Sequence, residues 1–237
     1  VMPYMTGYTD EVEKPLFLRR FSVPFWGLSY VFGRNDSYWY RLSTHLGRYE
    51  IVGTTVKAAD KLPEHLLADE KHARFNGHKA YIATTVGADC VLGASVALNA
   101  DEAALTEAYG QFKQEAQNVD PDYEPQTVNT DGWTATQKAW RTLFGAITII
   151  ECFLHAFLKI RDRCKKGWQT VWPEIRQQVW DIYHAADPQE FRQHTSDFRT
   201  WARQTVSGPA LQAIEKLGTK TDLFVLAYDF PQAYRTS

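Results

Sequence analysis

"PQTVNTDGWTATQKAW", residues 125 to 140, changes character in the middle. The first half, "PQTVNTD", reads as a short buried strand that ends in a bare Asp131. Gly132 follows at once, and "TATQKAWRTLF" then takes up helical spacing. A carboxylate at the tip of a strand faces whatever sits above the sheet, which suits a metal ligand. It equally suits an ordinary cap for a helix that begins near Thr134. The neighbouring segments have to decide between the two.

Upstream, three stretches read as strands. "HLLADE" rises to Asp69, where the strand is expected to end. "KAYIATTVG" and "CVLGASVAL" are β-branched and apolar, separated by turns at "FNGH" and "GAD". "NADEAALTEAYGQFKQEAQN", 99 to 118, is a helix with Asn99 or Asp101 as its cap and acids in its first turn. Downstream, "ITIIECFLH" is a fifth strand that runs into a helix with "AFLKIRDRCKK". The order is therefore β-β-β-α-β-α-β-α. A three-strand antiparallel meander that feeds parallel β-α units makes a mixed five-stranded sheet with flanking helices, an α/β (α+β) arrangement of the RNase H-like kind.

The two ends differ from this middle. Residues 1 to about 20 lack periodicity and read as an arm or loop. Residues 25 to 46 show helical spacing on either side of "GRND", with Asp36 or Ser37 as N-cap. This is the outline of a helix-turn-helix, in which Arg34, Arg41 and Arg48 would meet phosphates; a plain helical hairpin fits the same pattern. Residues 51 to 62 read as a short strand or extended linker. Beyond 167, three helical stretches each open at or beside a proline, and the final "DLFVLAYDFPQAYRTS" turns from apolar to polar. The aromatics between 167 and 201 fall at helix-core spacing. The expected division is a small helical region over 1–61 and a catalytic domain over 62–237, with an all-helical insertion over about 167–218.

Composition narrows the classes. Apolar residues make up 44% and charged residues 23% of the 237, which suits a soluble globular protein. No apolar run approaches the roughly 18 residues of a membrane helix, because Glu151 and His155 interrupt the longest one. No signal peptide is visible, and the start at Val1 suggests a fragment or a trimmed chain. Three cysteines at unrelated spacings do not form a disulfide framework and point to a reducing cytoplasm. A net charge of −2 argues against a bulk polyanion binder, but the charge is uneven. Residues 159 to 166, "KIRDRCKK", carry five bases and one acid, enough for a local phosphate-holding stripe.

Chemistry concentrates on the acids. Strands one and four are neighbours in the proposed sheet, so Asp69 and Asp131 share one crevice. Two carboxylates there repel each other unless a divalent cation joins them. Short, hard aspartates suit Mg²⁺ or Mn²⁺ and suit Zn²⁺ poorly. Each acid taken singly is better read as a turn acid or helix cap. Cys152 and His155 form a C-x-x-H pair at the end of strand five; a buried cysteine and a capping histidine explain the same residues. A structural zinc is not expected, since Cys164, His184 and His194 complete no regular spacing. In "DEKH", 69 to 72, alternation sends Asp69 and Lys71 to one face and Glu70 and His72 to the other. No G-x-S-x-G, P-loop or G-x-G-x-x-G is present.

Together, "LLADEKH…HKAYIATTV", "VNTDGW" and "ECFLHAFLKIRDR" resemble the catalytic core of DDE transposases. These are RNase H-like enzymes carried by bacterial insertion sequences, with Mutator-like elements as eukaryotic relatives. The resemblance covers about residues 62 to 166, and the helical stretch from 167 to 218 is similar to the insertion that many such enzymes carry. It implies Mg²⁺-dependent cleavage and joining of DNA strands, with Asp69 and Asp131 as catalytic metal ligands and Cys152 and His155 as the supporting motif. His155 would contact a phosphate or orient a loop. Lys159, Arg161, Arg163, Lys165 and Lys166 would follow the DNA backbone. The implied partners are double-stranded DNA, at element ends and target, and further copies of the chain on that DNA; the implied setting is the bacterial cytoplasm at the nucleoid. The family also needs a third acid on a helix after the insertion. Asp222 and Asp229 lie near that point in a turn or strand-like context, Glu215 lies within the insertion, and "FPQAYRTS" stops where the helix would begin, so the third acid is expected beyond Ser237. A catalytically dead remnant that binds DNA or transposase subunits is the alternative, and a structure-specific nuclease on the same fold is a third reading.

Overall fold

The computed structural model describes residues 9–19, 21–46, 51–56, 58–75, 77–165, 167–231 and 233–235. The chain divides into two compact units, 1–50 and 51–237.

The first unit is helical. α1 (Thr9–Arg19) occupies the stretch expected as an arm or loop. Pro15 makes the sequence read as broken, yet Pro15 and Val12, three residues apart, both turn inward and are buried. α2 (Phe25–Phe32) and α3 (Asp36–Leu46) flank the glycine turn as the spacing implies. Asn35, rather than Asp36 or Ser37, caps α3: its Oδ1 accepts the Tyr38 N–H at 2.7 Å. Gly33 supplies a φ of +70° at the turn, and the Trp39 indole N–H donates to its carbonyl at 2.9 Å. Val12, Leu28, Trp39 and Leu42 form the core of this unit.

The second unit begins with a helix, α4 (Ile51–Thr55), and a 3-10 turn (Ala59–Lys61), where a strand or linker was expected. Val52 and Val56 sit one turn apart, so both are buried in the same core, and β-branched residues that suggest a strand are held helical by that burial. Then follow β1 (His65–Phe75), β2 (His78–Gly87), β3 (Cys90–Ala97), α5 (Glu102–Val119), β4 (Thr127–Thr130), α6 (Thr134–Leu143), β5 (Thr148–Glu151) and α7 (Phe153–Cys164). The sheet order is β3-β2-β1-β4-β5. β1 pairs antiparallel with β2 and β2 with β3, whereas β1–β4 and β4–β5 are parallel. This is the α/β, RNase H-like arrangement expected from the order of elements. The β2–β3 turn is two residues long, with Ala88 and Asp89 both at positive φ (49° and 60°), the geometry a tight hairpin demands. α5 is capped by Asp101, whose Oδ1 accepts the Ala104 N–H at 2.9 Å. α5 and α6 bury Tyr109, Phe112 and Trp140 with Leu66, Ala68 and Val128 of the sheet, and Trp140 stacks on Phe144 at 5.7 Å.

α8 (Trp172–Tyr183), α9 (Pro188–Thr205) and α10 (Gly208–Thr219) each carry a proline in the first turn, as the sequence implies. With α7 and α11 (Thr221–Val225) they enclose a second core that includes Ile160, Val179, Phe198 and Ile214. The final stretch is helical, not strand-like: α11 passes into a 3-10 turn (Leu226–Tyr228) with Asp229 at its end. The chain then returns to the sheet, where the Asn129 amide donates to the Tyr234 carbonyl at 3.0 Å and the Phe153 N–H to that of Arg235 at 3.1 Å. Among the described residues no helix is long and apolar enough to cross a membrane.

Candidate functional site

Strand register places the two aspartates. The parallel ladders end at Ala68↔Thr130 and Thr130↔Glu151. Asp69, Asp131 and Cys152 are the next residue on each of the three neighbouring chains. β1 does not stop at Asp69. It runs on to Phe75, because residues 69–75 keep their antiparallel partners on β2 after β4 has turned away. Asp69 is therefore where β1 loses its parallel neighbour, and its side chain is 54% exposed.

Asp131 closes the turn that leads into α6. Its Oδ1 accepts the Trp133 N–H at 2.7 Å, closing a turn two residues ahead. The cap position of α6 falls on Trp133, which makes no side-chain cap bond. Asp131 thus shapes the approach to α6 with one oxygen without being its N-cap.

Cys152 directly follows β5 and holds the cap position of α7, and His155 lies in the first turn of that helix. His155 Nε2 is 3.8 Å from Asp69 Oδ1. The hydrogen bond with Cys152 raises the His155 pKa, burial opposes the rise, and the charges of Asp69 and Asp131 add to it. All four sequence-selected residues of the centre are thus gathered at the end of the parallel ladders.

Two buried acids behind them escaped the sequence reading. Glu70 points away from Asp69, as strand alternation requires, and its Oε1 accepts both the Tyr109 hydroxyl and the Thr136 hydroxyl at 2.7 Å. Burial raises its pKa, the two hydrogen bonds lower it, and Asp131 and Asp69 push it up again, with a net rise. The same burial, with Glu70 close by, holds the Tyr109 phenol well above its ordinary value. Glu151 ends β5 and accepts from the Gln137 amide at 2.9 Å and the Lys220 ammonium at 2.6 Å. Lys220 also donates to the Gly132 carbonyl at 3.1 Å. A Cβ at position 132 would collide with the Glu151 carboxylate and the Lys220 ammonium, so that pair would have to shift. Glu151 shows in sequence only as a break in an apolar run. Lys220 gives no signal, since it lies 69 residues from its partner.

The helix splits the basic residues of α7 between two faces. Lys159 and Arg163, four apart, line one cavity; Arg161 and Lys165 line another, and Arg161 contacts Asp162 at 3.1 Å. Lys166 and Arg48 lie outside the described residues. In the first unit, the Arg34 guanidinium lies over the Tyr38 ring at 5.3 Å and Arg41 Nε donates to the Ser37 carbonyl at 3.1 Å. Of the later acids, Glu215 is bound by Arg199 and Arg203 at 2.6 Å each, Asp222 by Arg192 at 3.2 Å, and Asp229 is exposed.

Among the described residues no group of three or more His, Cys, Asp or Glu side chains is arranged to hold a metal ion. Glu70 and Glu151 are occupied by their own donors, which leaves Asp69 and Asp131 as the oxygen donors of the rim. One or two carboxylates, completed by water and phosphate oxygens, is a donor set that fits Mg²⁺ or Mn²⁺.

No protein-family model matches the chain, and no curated protein matches it. Among solved structures, the catalytic core domain of HTLV-2 integrase in complex with magnesium, in a trimeric form, is similar over 68% of this chain and 86% of that one, with 14% identity and a TM-score of 0.31. The fold assignment rests on the strand order itself.

Proposed function

We propose that residues 62–237 carry out metal-dependent phosphoryl transfer on DNA, as the catalytic part of a transposase of the insertion-sequence type, with residues 1–61 as a helix-turn-helix-like DNA-binding region and about 167–218 as its helical insertion. The observation that carries this reading is the register of Asp69 and Asp131 on adjacent central strands, each one residue beyond the last parallel pair. In it, Asp69 and Asp131 hold Mg²⁺ or Mn²⁺. The bound ion would supply activation of the attacking oxygen and stabilisation of the leaving one. His155 steadies Asp69 from the start of α7, and Cys152 fixes the orientation of the imidazole. Lys159, Arg161, Arg163, Lys165 and Lys166, with Arg34 and Arg41, neutralise backbone phosphates of double-stranded element ends and target. Copies of the chain assemble on the paired ends, in the cytoplasm at the nucleoid.

The test is nicking of supercoiled DNA in Mg²⁺ by the full-length enzyme, with the expected third acid beyond Ser237 included. The wild-type protein is expected to nick, and Asp69→Asn or Asp131→Asn to abolish nicking without loss of fold. Nicking by Asp69→Asn at the wild-type rate would sink the catalytic assignment. The alternative, a catalytically inactive chain that binds DNA or transposase subunits, is favoured by the engagement of Glu70 and Glu151, which leaves two carboxylates rather than three. Salt-sensitive duplex binding with no nicking in Mg²⁺ or Mn²⁺ would select it.

A further inference from the structure

Between α7 and α10 lies a cavity of about 430 Å³ whose lining is cationic. Lys159 and Arg163 stand four residues apart on one wall. Gln212, Lys216 and Lys220 recur every four residues on the other. Glu151 is the one acid of the lining, and its charge is matched by Lys220 at 2.6 Å. Lys159, Arg163 and Lys216 form no ion pair among the described residues, although neighbouring cations do: Arg192 reaches Asp222, and Arg199 and Arg203 share Glu215. Three like charges converging from two helices repel one another and are stabilised by an anion between them.

We infer that this slot binds consecutive backbone phosphates of a DNA strand and leads that strand to Asp131. The inference rests on the proposed function and deepens it. Continuity with the candidate centre supports it: Lys220 closes the inner end of the slot and donates to both Glu151 and the carbonyl of Gly132, the residue after Asp131. Gln212 adds an uncharged amide donor to the row of cations.

The experiment measures binding of the full chain to a fluorescein-labelled 30-base-pair duplex by anisotropy, across a salt series, with EDTA present so that nothing is cut. Lys159→Gln/Lys216→Gln is expected to weaken binding, and the slope of log K against log salt is expected to become shallower by about 2, because each lysine neutralises one phosphate. Lys159→Arg/Lys216→Arg should restore most of the slope. Lys79→Gln/Lys138→Gln, of equal charge but on β2 and α6, should leave it unchanged. An undiminished slope in the slot variant, or an equal fall in the β2/α6 variant, overturns the inference. Lys159 and Lys216 are exposed, so wild-type melting is expected for each variant. Asp69→Asn should bind the duplex normally in EDTA while failing to nick it in Mg²⁺, which separates failure of the slot from failure of the catalytic reading.

Discussion

At Gly132 a backbone without a side chain lets a lysine reach through to a buried carboxylate. Glu151 is 5% exposed, and Lys220 with Gln137 satisfies its two oxygens. Lys220→Met removes the counter-charge and leaves the carboxylate buried, which is expected to destabilise the protein by about 3 kcal/mol. Lys220→Met/Glu151→Gln should recover much of that stability, since no charge is then stranded. Urea denaturation of the three proteins checks both statements, and an unmoved midpoint for Lys220→Met would show that the pair is dispensable. Asp131 was legible in sequence because a lone acid follows the β-branched "TVNT", and Asp69 because it ends the apolar "LLA". Glu70 was seen only as the neighbour facing the other way. What it faces, Tyr109 and Thr136, lies 39 and 66 residues distant, and interactions of that range leave no periodic trace.

Between helices, α9 and α10 are fastened by Glu215, whose two oxygens are taken by Arg203 and Arg199. These bonds, Arg203's first, hold its carboxyl below the usual carboxylate range. A lowered acid stabilises the fold while ionised, so its contribution is present above the ordinary carboxylate range and is lost as pH falls through the lowered value. Glu215→Gln is accordingly expected to lower Tm by about 2–4 °C at neutral pH. The gap to wild type should close in acid; calorimetry at several pH values reads it, and a gap that widened in acid would reverse the assignment. The proline-opened helices of this bundle and the strand meander were legible because each keeps one period throughout. β1 was cut short at Asp69 because its far half pairs polar residues, Arg74 with Lys79 among them, and so lacks an apolar alternation. α1 and α4 were missed for opposite reasons, a proline that reads as a break and valines that read as strand, both overruled by burial.

Over the whole molecule, burial is divided. The first unit carries its own core, and the two larger cores are built from residues 52 onward. Residues 51–237 alone are therefore expected to unfold cooperatively and to keep the Tm of their transition in the full chain to within about 4 °C, as calorimetry would measure. A larger drop would show that the first unit contributes stability to the second. The order of strands and helices could be read from changes of hydrophobic period, which local sequence carries. The closing return of residues 233–235 onto the sheet could not, because the acceptors there are backbone carbonyls that any sequence possesses, met by the Asn129 amide and the Phe153 N–H. β3 has one further consequence. It is the outer strand of the sheet, and Val91, Val96 and the adjoining Leu98 are about half exposed or more. An edge strand flanked by exposed aliphatic side chains is a template for a stray strand, so at high concentration insolubility of this protein should begin there.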